Sequence, residues 1–156
     1  MNKITDNKEY IIVEIIPNNR NASIGEIVQI SALKLKGLQL ISRFDYRLNL
    51  NKILIPDLIR MLDYDNDSFN YLDSGKELLH EFSTWSEGLD LLIIDNEYTL
   101  DYLKELKNKK ESVFKYLNLK YSDNVIEKIM KKYNIEPSNY ITDILYEALI
   151  YDSNNK

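Results

Sequence analysis

The feature that most restricts the fold of this chain is a short, nearly continuous apolar run at residues 10–16, which only Glu14 interrupts. A run of this length that is rich in β-branched residues is typical of a strand buried on both faces of a sheet. The two segments that follow, 26–36 and 38–48, alternate apolar and polar residues and are separated by Gly37. Alternation around a glycine predicts a hairpin. The chain therefore opens with three successive strands.

Helical periodicity dominates the rest of the chain. Pro56 stands near the start of a predicted helix at 55–63, where proline is tolerated. Asp73 or Ser74 can cap a second helix, which carries apolar residues at 3.6 spacing and ends at Gly88. An apolar run at 89–94 predicts a fourth strand, and further helical stripes lie at 98–106, 123–133 and 140–151. This order predicts a single α/β domain over 1–156, with its core at about 9–151 and one mixed sheet flanked by helices.

The composition excludes several kinds of site. The chain has no cysteine, which excludes disulfides, thiolate zinc sites and a cysteine nucleophile. Its one histidine, His80, cannot form a histidine metal cluster, and we interpret it as a surface or packing residue. No apolar run approaches the roughly 20 residues that span a bilayer. The first ten residues do not resemble a signal peptide. We therefore expect a cytoplasmic protein without a membrane segment.

Charge is unevenly distributed along the chain, although the net charge is only −5. Residues 57–101 hold twelve acidic and two basic residues, whereas 104–132 hold nine lysines and four acidic residues. One interpretation is that these are solvated helix faces. The other is a basic surface on lysine-rich helices that binds a protein or nucleic acid. Its candidate residues are Lys104, Lys107, Lys109, Lys110, Lys128, Lys131 and Lys132.

Several short segments form a collinear series over about residues 9–151. They read G-E-I-V-Q-I-S-A-L-K-L-K at 25–36, I-P at 55–56, I-I-D-N at 93–96, Y-N-I at 133–135 and D-I-L-Y-E-A-L at 143–149. In this order they resemble the DnaQ-like 3′–5′ exonucleases of the ribonuclease H-like superfamily. The resemblance implies that superfamily's fold: a central mixed sheet with three antiparallel strands first and then a parallel one, flanked by helices.

The resemblance also implies the chemistry of these enzymes, the hydrolysis of phosphodiester bonds with two divalent metals. Four carboxylates hold the metals, and the first two form a D-x-E pair on the first strand, where spacing of two places both side chains on one face. Here Glu14 matches the aspartate position and Ile16 stands at the partner position. Shifting the register by two puts Ile12 in the pair instead. The paired carboxylate is therefore missing on either alignment, and so are the threonines of the loop that holds the terminal nucleotide.

The later motifs are also incomplete. At the third motif either Leu100 or Asp101 matches the metal position, and the register stays open. At the fourth motif Asp143 matches, but Ser138 occupies the place of the histidine or tyrosine general base. We expect no resident cofactor; the alternative is a weakly bound Mg²⁺ or Mn²⁺ on Glu14, Asp101 and Asp143. A different role for Glu14 is a strand-end carboxylate satisfied by a helix N-terminus or a lysine.

Three hypotheses of function follow. The first is a catalytically degenerate exonuclease-fold protein, a pseudo-exonuclease that acts as a binding or regulatory module for a protein partner or for nucleic acid; the net negative charge favours a protein. The second is a weak or Mn²⁺-dependent 3′–5′ exonuclease on single-stranded nucleic acid. The third is a small acidic inhibitor or adaptor, for which the run Asp63, Asp65 and Asp67 is the best feature. The oligomeric state and the choice of DNA or RNA remain open.

Overall fold

The structure, a computed structural model, describes residues 8–48, 70–93, 99–104 and 110–112, together with positions 131, 142, 146, 147 and 150. These residues form six strands and two helices. The strands are β1 (Glu9–Pro17), β2 (Ile27–Lys36), β3 (Gln39–Leu48), β4 (Asn70–Leu72), β5 (Asp90–Ile93) and β6 (Lys110–Ser112). The helices are α1 (Gly75–Ser86) and α2 (Thr99–Leu103).

The strands form one mixed sheet in the order β4-β3-β2-β1-β5-β6. β1, β2 and β3 pair antiparallel, as the hairpin pattern predicts, and β5 joins β1 in parallel. The predicted sheet, three antiparallel strands followed by a parallel one, is therefore confirmed. β4 and β6 add parallel edges beside β3 and β5 and were not predicted. Each has three residues, too few to show an alternation that distinguishes a strand from a loop.

β1 lies at the centre of the sheet, and all of its residues after Glu9 are buried. Ile11, Val13 and Ile15 point to the face covered by α1, where they belong to one core with Leu78 and Phe82. Each such buried apolar side chain contributes about 1.5–3 kcal/mol relative to an exposed one. Burial on both faces explains why this strand reads as a continuous apolar run and not as an alternating one.

Helix α1 begins at a capping serine and ends at residues with positive φ. Ser74 is the N-cap: its hydroxyl accepts a hydrogen bond from the amide of Glu77 at 3.2 Å, which decides between the two predicted caps. Glu77 in turn accepts from the amide of Asp73 at 3.2 Å. At the other end, Glu87 and Gly88 both adopt positive φ, 54° and 73°, so the helix ends at Ser86 and its C-cap is Glu87, directly before the predicted Gly88.

The later helices are described only in part. The predicted helix at 98–106 is present as α2, and the one at 55–63 lies outside the described residues. In the predicted helices at 123–133 and 140–151, the described positions 131, 142, 146, 147 and 150 are all helical. Lys110 is a correction, because it lies on strand β6 and not on a lysine-rich helix. Within the described residues, no helix combines the length and apolar character that crossing a membrane requires.

Candidate functional site

Glu14 occupies the middle of the sheet. It lies on β1 opposite Ser31 of β2, and Ile16, two residues on, lies opposite Gln29. Glu14 is 7% exposed and Ile16 is completely buried. Side chains two apart on a strand share a face, so the isoleucine stands beside Glu14 where the resemblance places the second carboxylate.

Burial determines the protonation of Glu14. It raises the pKa of this carboxyl from 4.5 to about 8, since an ionised carboxylate loses its hydration inside the protein. The Oε2 atom of Glu14 receives no hydrogen bond. In the described part of the chain, neither a helix N-terminus nor a lysine binds the Glu14 carboxyl group, as the alternative role would require. At neutral pH the side chain is a protonated, neutral acid.

A row of polar side chains crosses the sheet on the same face as Glu14. In the strand register Glu14 pairs with Ser31, and Ser31 pairs with Asp45 of β3. Ser31 is completely buried, and its hydroxyl oxygen makes no hydrogen bond. Asp45 accepts a hydrogen bond through Oδ2 from Nε of Arg43 at 3.2 Å. Ser31 and Asp45 were not among the sequence candidates. The signal in the sequence was a serine within an otherwise apolar strand segment, which indicates a buried polar group.

The next row on this face is also polar. Gln29 pairs with Arg47 across β2 and β3, and the Nε atom of Arg47 donates to Oε1 of Gln29 at 2.8 Å. Arg47 is 1% exposed, an unusual position for a guanidinium. The amide oxygen supplies a neutral acceptor to this buried cation. The face that carries Glu14 thus holds two polar rows among buried apolar residues such as Ile12 and Ile16, and we refer to it as the polar face.

Asp101 lies at a different place. It is exposed on α2 and lines a cleft of about 190 Å³ between the β1–β2 loop, the start of α1 and the end of α2. Lys76, Lys104 and Glu26 also line this cleft, and Glu14 does not. The alternative position for the third motif, Leu100, has a side chain outside the described part. The exposure of Asp101 agrees with its predicted position off the apolar stripe.

The β1–β2 loop is held by hydrogen bonds at both ends. Asn18 donates its amide to the carbonyl of Glu26 at 3.0 Å and accepts the amide of Glu26 on Oδ1 at 2.8 Å. The carboxylate of Glu26 accepts from the amide of Gly75 at 3.0 Å, which connects the loop to the first turn of α1. In the family that this chain resembles, this loop holds the terminal nucleotide; here it is closed on itself and on α1.

The remaining sequence candidates are described only in part. Asp143 and Ser138 lie outside the described residues, as do Lys107, Lys109, Lys128 and Lys132. Lys104 and Lys131 are exposed. Thr142, directly before Asp143, is buried, and Tyr146 one turn later donates its hydroxyl to the carbonyl of Leu38 at 2.6 Å. This contact attaches the C-terminal helical segment to the β2–β3 turn.

The two divalent metals that the resemblance implies do not fit these residues. A magnesium site needs several carboxylates that converge on one point. Of the two carboxyls on β1, Glu9 is exposed at the start of the strand, and Glu14 is buried and protonated beside the methyl groups of Ile16. Over the residues that the structure describes, no group of three or more His, Cys, Asp or Glu side chains is placed to hold a metal ion.

Comparison with known proteins connects this geometry to one fold. No protein-family model matches the sequence, and no curated protein matches it. The structure is similar to E. coli exonuclease I in complex with a dT13 oligonucleotide, with a TM-score of 0.58, 11% identity, and coverage of 94% of this chain and 40% of that chain. The zinc-bound E. coli ExoI–ssDNA complex gives a TM-score of 0.54, 10% identity and coverage of 92% and 39%. A third structure, of exonuclease I and the basis of its processivity, gives a TM-score of 0.59 and 9% identity. The match covers 92% of this chain and 40% of that chain.

The sheet order and the helices define a protein of the α/β class with one mixed sheet. Within that class it has the exonuclease fold of exonuclease I, as the collinear motifs predict. The chain spans about two fifths of the length of the exonuclease I chains that it matches. The structural similarity establishes a shared fold, and because the identity is only about 10%, the activity has to be argued from the site.

Proposed function

We propose that this chain is a catalytically degenerate exonuclease-fold protein that acts as a binding or regulatory module, with a protein as its partner. The observation that carries the proposal is the pair on β1, a buried Glu14 beside a completely buried Ile16. An isoleucine offers no ligand atom to a metal. The two-metal chemistry of the fold therefore has neither its second carboxylate nor an ionised first one at neutral pH.

The surface of α1 supports a protein partner. Its exposed residues include Glu77 and Glu81, one turn apart, and the flanking Asp73 and Glu87 are exposed as well. Lys76 is the one exposed lysine or arginine among the described positions 73–88. An acidic helix face in a chain of net charge −5 attracts a basic protein surface and repels the phosphates of nucleic acid.

The solved neighbours support considering both kinds of ligand. Exonuclease I has been solved in complex with a dT13 oligonucleotide and also as an ExoI/SSB-Ct complex. Nucleic-acid binding by this chain depends on its exposed lysines, of which Lys104 and Lys131 are described. Fluorescence anisotropy with a labelled dT oligonucleotide at low and high salt tests this arm. Binding that Lys104→Glu and Lys131→Glu abolish indicates a nucleic-acid module and overturns the protein-partner proposal.

A nuclease assay tests the loss of catalysis. Single-stranded DNA and RNA with labelled 5′ ends are incubated with the chain in Mg²⁺ and then in Mn²⁺, beside a Glu14→Ala/Asp143→Ala double variant. The expected result is no shortening by either protein. The double variant is the control for contaminating nucleases, so shortening by the wild-type chain alone contradicts the proposal.

A weak Mn²⁺-dependent 3′–5′ exonuclease is the second candidate, and Asp101 is the observation in its favour. Its carboxylate is exposed at a cleft that Lys104 also lines, where the lysine can bind a substrate phosphate. Under this alternative, Asp101→Asn abolishes the shortening that the wild-type chain shows in Mn²⁺. Under the main proposal there is no such activity for the substitution to change.

A further inference from the structure

Three neighbouring strands each place an oxygen-bearing side chain at the same level of the sheet. Glu14, Ser31 and Asp45 are consecutive cross-strand partners on β1, β2 and β3. Adjacent strands lie about 4.8 Å apart, and paired residues of antiparallel strands direct their side chains to the same face. The sheet therefore aligns a carboxyl, a hydroxyl and a second carboxylate across its polar face.

All three members of this row have a buried oxygen without a hydrogen bond, and in Asp45 it is Oδ1, since Oδ2 binds Arg43. Glu14 is 7% exposed and Ser31 is completely buried, yet Oε2 of the first and Oγ of the second make no hydrogen bond, even to each other. A buried polar atom left in this way costs about 1–3 kcal/mol. Such atoms in a folded protein call for an explanation, and a bound ion or water between them is the simplest.

The nearby arginines are directed to other groups. Nε of Arg43 binds Oδ2 of Asp45, which fixes the orientation of that carboxylate, and Nε of Arg47 donates to Gln29. In the described part of the chain, no lysine or arginine forms an ion pair with Glu14, and burial alone sets its protonation. The row therefore has a buried carboxyl group that no described lysine or arginine pairs with.

We propose that Glu14, Ser31 and Asp45 hold one hard divalent cation on the polar face of the sheet. Carboxylate and hydroxyl oxygens are the ligands that Mg²⁺, Mn²⁺ and Ca²⁺ prefer, and water completes the coordination. This set differs from the one that the exonuclease resemblance implies, because it needs neither Asp101 nor Asp143. The ion has a structural role and does not depend on the proposed binding function.

Binding of Mn²⁺ alone tests the site. The full chain is stripped with EDTA, dialysed and titrated with Mn²⁺, and the free ion is counted by electron paramagnetic resonance. We expect one Mn²⁺ per chain, with the dissociation constant raised at least about tenfold by Ser31→Ala and by Asp45→Asn, since each removes one ligand atom. Glu14→Gln abolishes binding.

The controls separate this site from a remnant of the exonuclease site. Asp101→Asn and Asp143→Asn leave Mn²⁺ binding unchanged if the proposal holds. If they abolish binding and Ser31→Ala does not, the ion belongs to the exonuclease motifs and the proposal is wrong. Absence of saturable binding at millimolar Mn²⁺ also overturns it and leaves water as the occupant.

Thermal unfolding gives a second readout that does not depend on nuclease activity. Mn²⁺ raises the melting temperature of the wild-type chain and not that of Ser31→Ala. In EDTA the Ser31→Ala chain is at least as stable as the wild type, because the variant removes a buried hydroxyl that lacks a partner. A chain that binds Mn²⁺ but degrades no nucleic acid supports both the cation site and the loss of catalysis. Because binding and degradation are measured separately, either proposal can fail without the other.

Discussion

The phenolic oxygen of Tyr102 on α2 donates a hydrogen bond to the main-chain carbonyl of Asn19 at 2.5 Å, although 83 positions separate the two residues. This bond connects the second helix to the β1–β2 loop beside the end of β1. The backbone of Gly25 lies close to the same hydroxyl. The position of the loop thus depends on α2 as well as on its own turns.

Replacing Tyr102 by phenylalanine removes this bond and little else. We expect Tyr102→Phe to lower the free energy of unfolding by about 1 kcal/mol, and to increase proteolytic cleavage within residues 18–26. Chemical denaturation and limited proteolysis measure the two effects. Tyr71→Phe is the matched control, because Tyr71 is half-exposed. Equal stability of the two variants would show that the Tyr102 hydroxyl does not hold the loop.

Gly25 is a glycine because of this contact. A Cβ at this position meets the Tyr102 hydroxyl at far less than van der Waals distance and lies 2.8 Å from Cβ of Asn19. Gly25→Ala is therefore expected to destabilise the chain by about 1–3 kcal/mol. The cost should be smaller in a Tyr102→Phe background, and a double-mutant cycle of denaturant unfolding measures the difference. Strict additivity of the two substitutions contradicts this account.

The protonation of Glu14 makes stability depend on pH. Its pKa is raised from 4.5 to about 8 in the folded chain, so between these values the folded state keeps a proton that the unfolded state releases. The unfolded state then binds fewer protons, and the free energy of unfolding falls as pH rises through this window, by about 1 kcal/mol per pH unit from this group. Below pH 4.5 and above pH 8 this contribution is constant.

The variant Glu14→Gln isolates that contribution, because glutamine is neutral at every pH. In urea unfolding in EDTA from pH 5 to pH 9, the free energy of unfolding of the variant should rise relative to that of the wild type up to about pH 8. EDTA removes divalent cations, which otherwise favour the ionised carboxylate. If the two stability curves run parallel, Glu14 ionises normally and its described burial does not control its charge.

Lys34 stabilises the C-terminal end of α1. Its ammonium group donates to the carbonyl of Trp85 at 2.5 Å, lies 4.6 Å from the centre of the Trp85 ring and is 3.5 Å from the carboxylate of Glu87. Because Lys34 is buried, replacing it by methionine keeps the apolar stem and removes the charge that binds the helix end. We expect a loss of about 1.5–3 kcal/mol, seen in unfolding curves followed by Trp85 fluorescence. Lys76→Met, an exposed lysine on the same helix, should change stability little.

Gln29 is the acceptor for a buried guanidinium. Replacing it by leucine fills the space but leaves Nε of Arg47 without the acceptor that it has at 2.8 Å. We expect Gln29→Leu to destabilise the chain by about 1.5–3 kcal/mol, measured by denaturant unfolding. The exposed Gln39, on β3, provides the control: if Gln39→Leu costs as much as Gln29→Leu, the bond to Arg47 has no net stabilising effect.

Local sequence patterns were sufficient for the central elements. The apolar run of β1, the alternation of β2 and β3 and a helix cap at Asp73 or Ser74 each depend on a segment's own burial or backbone. Each is found in the structure, with Ser74 as the cap. The replacement of the paired carboxylate by Ile16 was equally visible, because a spacing of two on a strand defines a shared face. What the sequence left open at the third motif, Leu100 or Asp101, depends on packing around α2.

By itself, then, the sequence determined the three-strand opening, the capped helix and an incomplete set of carboxylates. Only the tertiary structure decided that Ser31 and Asp45 stand in one row with Glu14, and that the Tyr102 hydroxyl reaches Asn19. The strands β4 and β6 belong to the same group, since three residues become a strand only by pairing with β3 and β5. The physical reason is that periodicity records how each segment is buried, whereas strand register and contacts between distant segments arise only when the segments pack together.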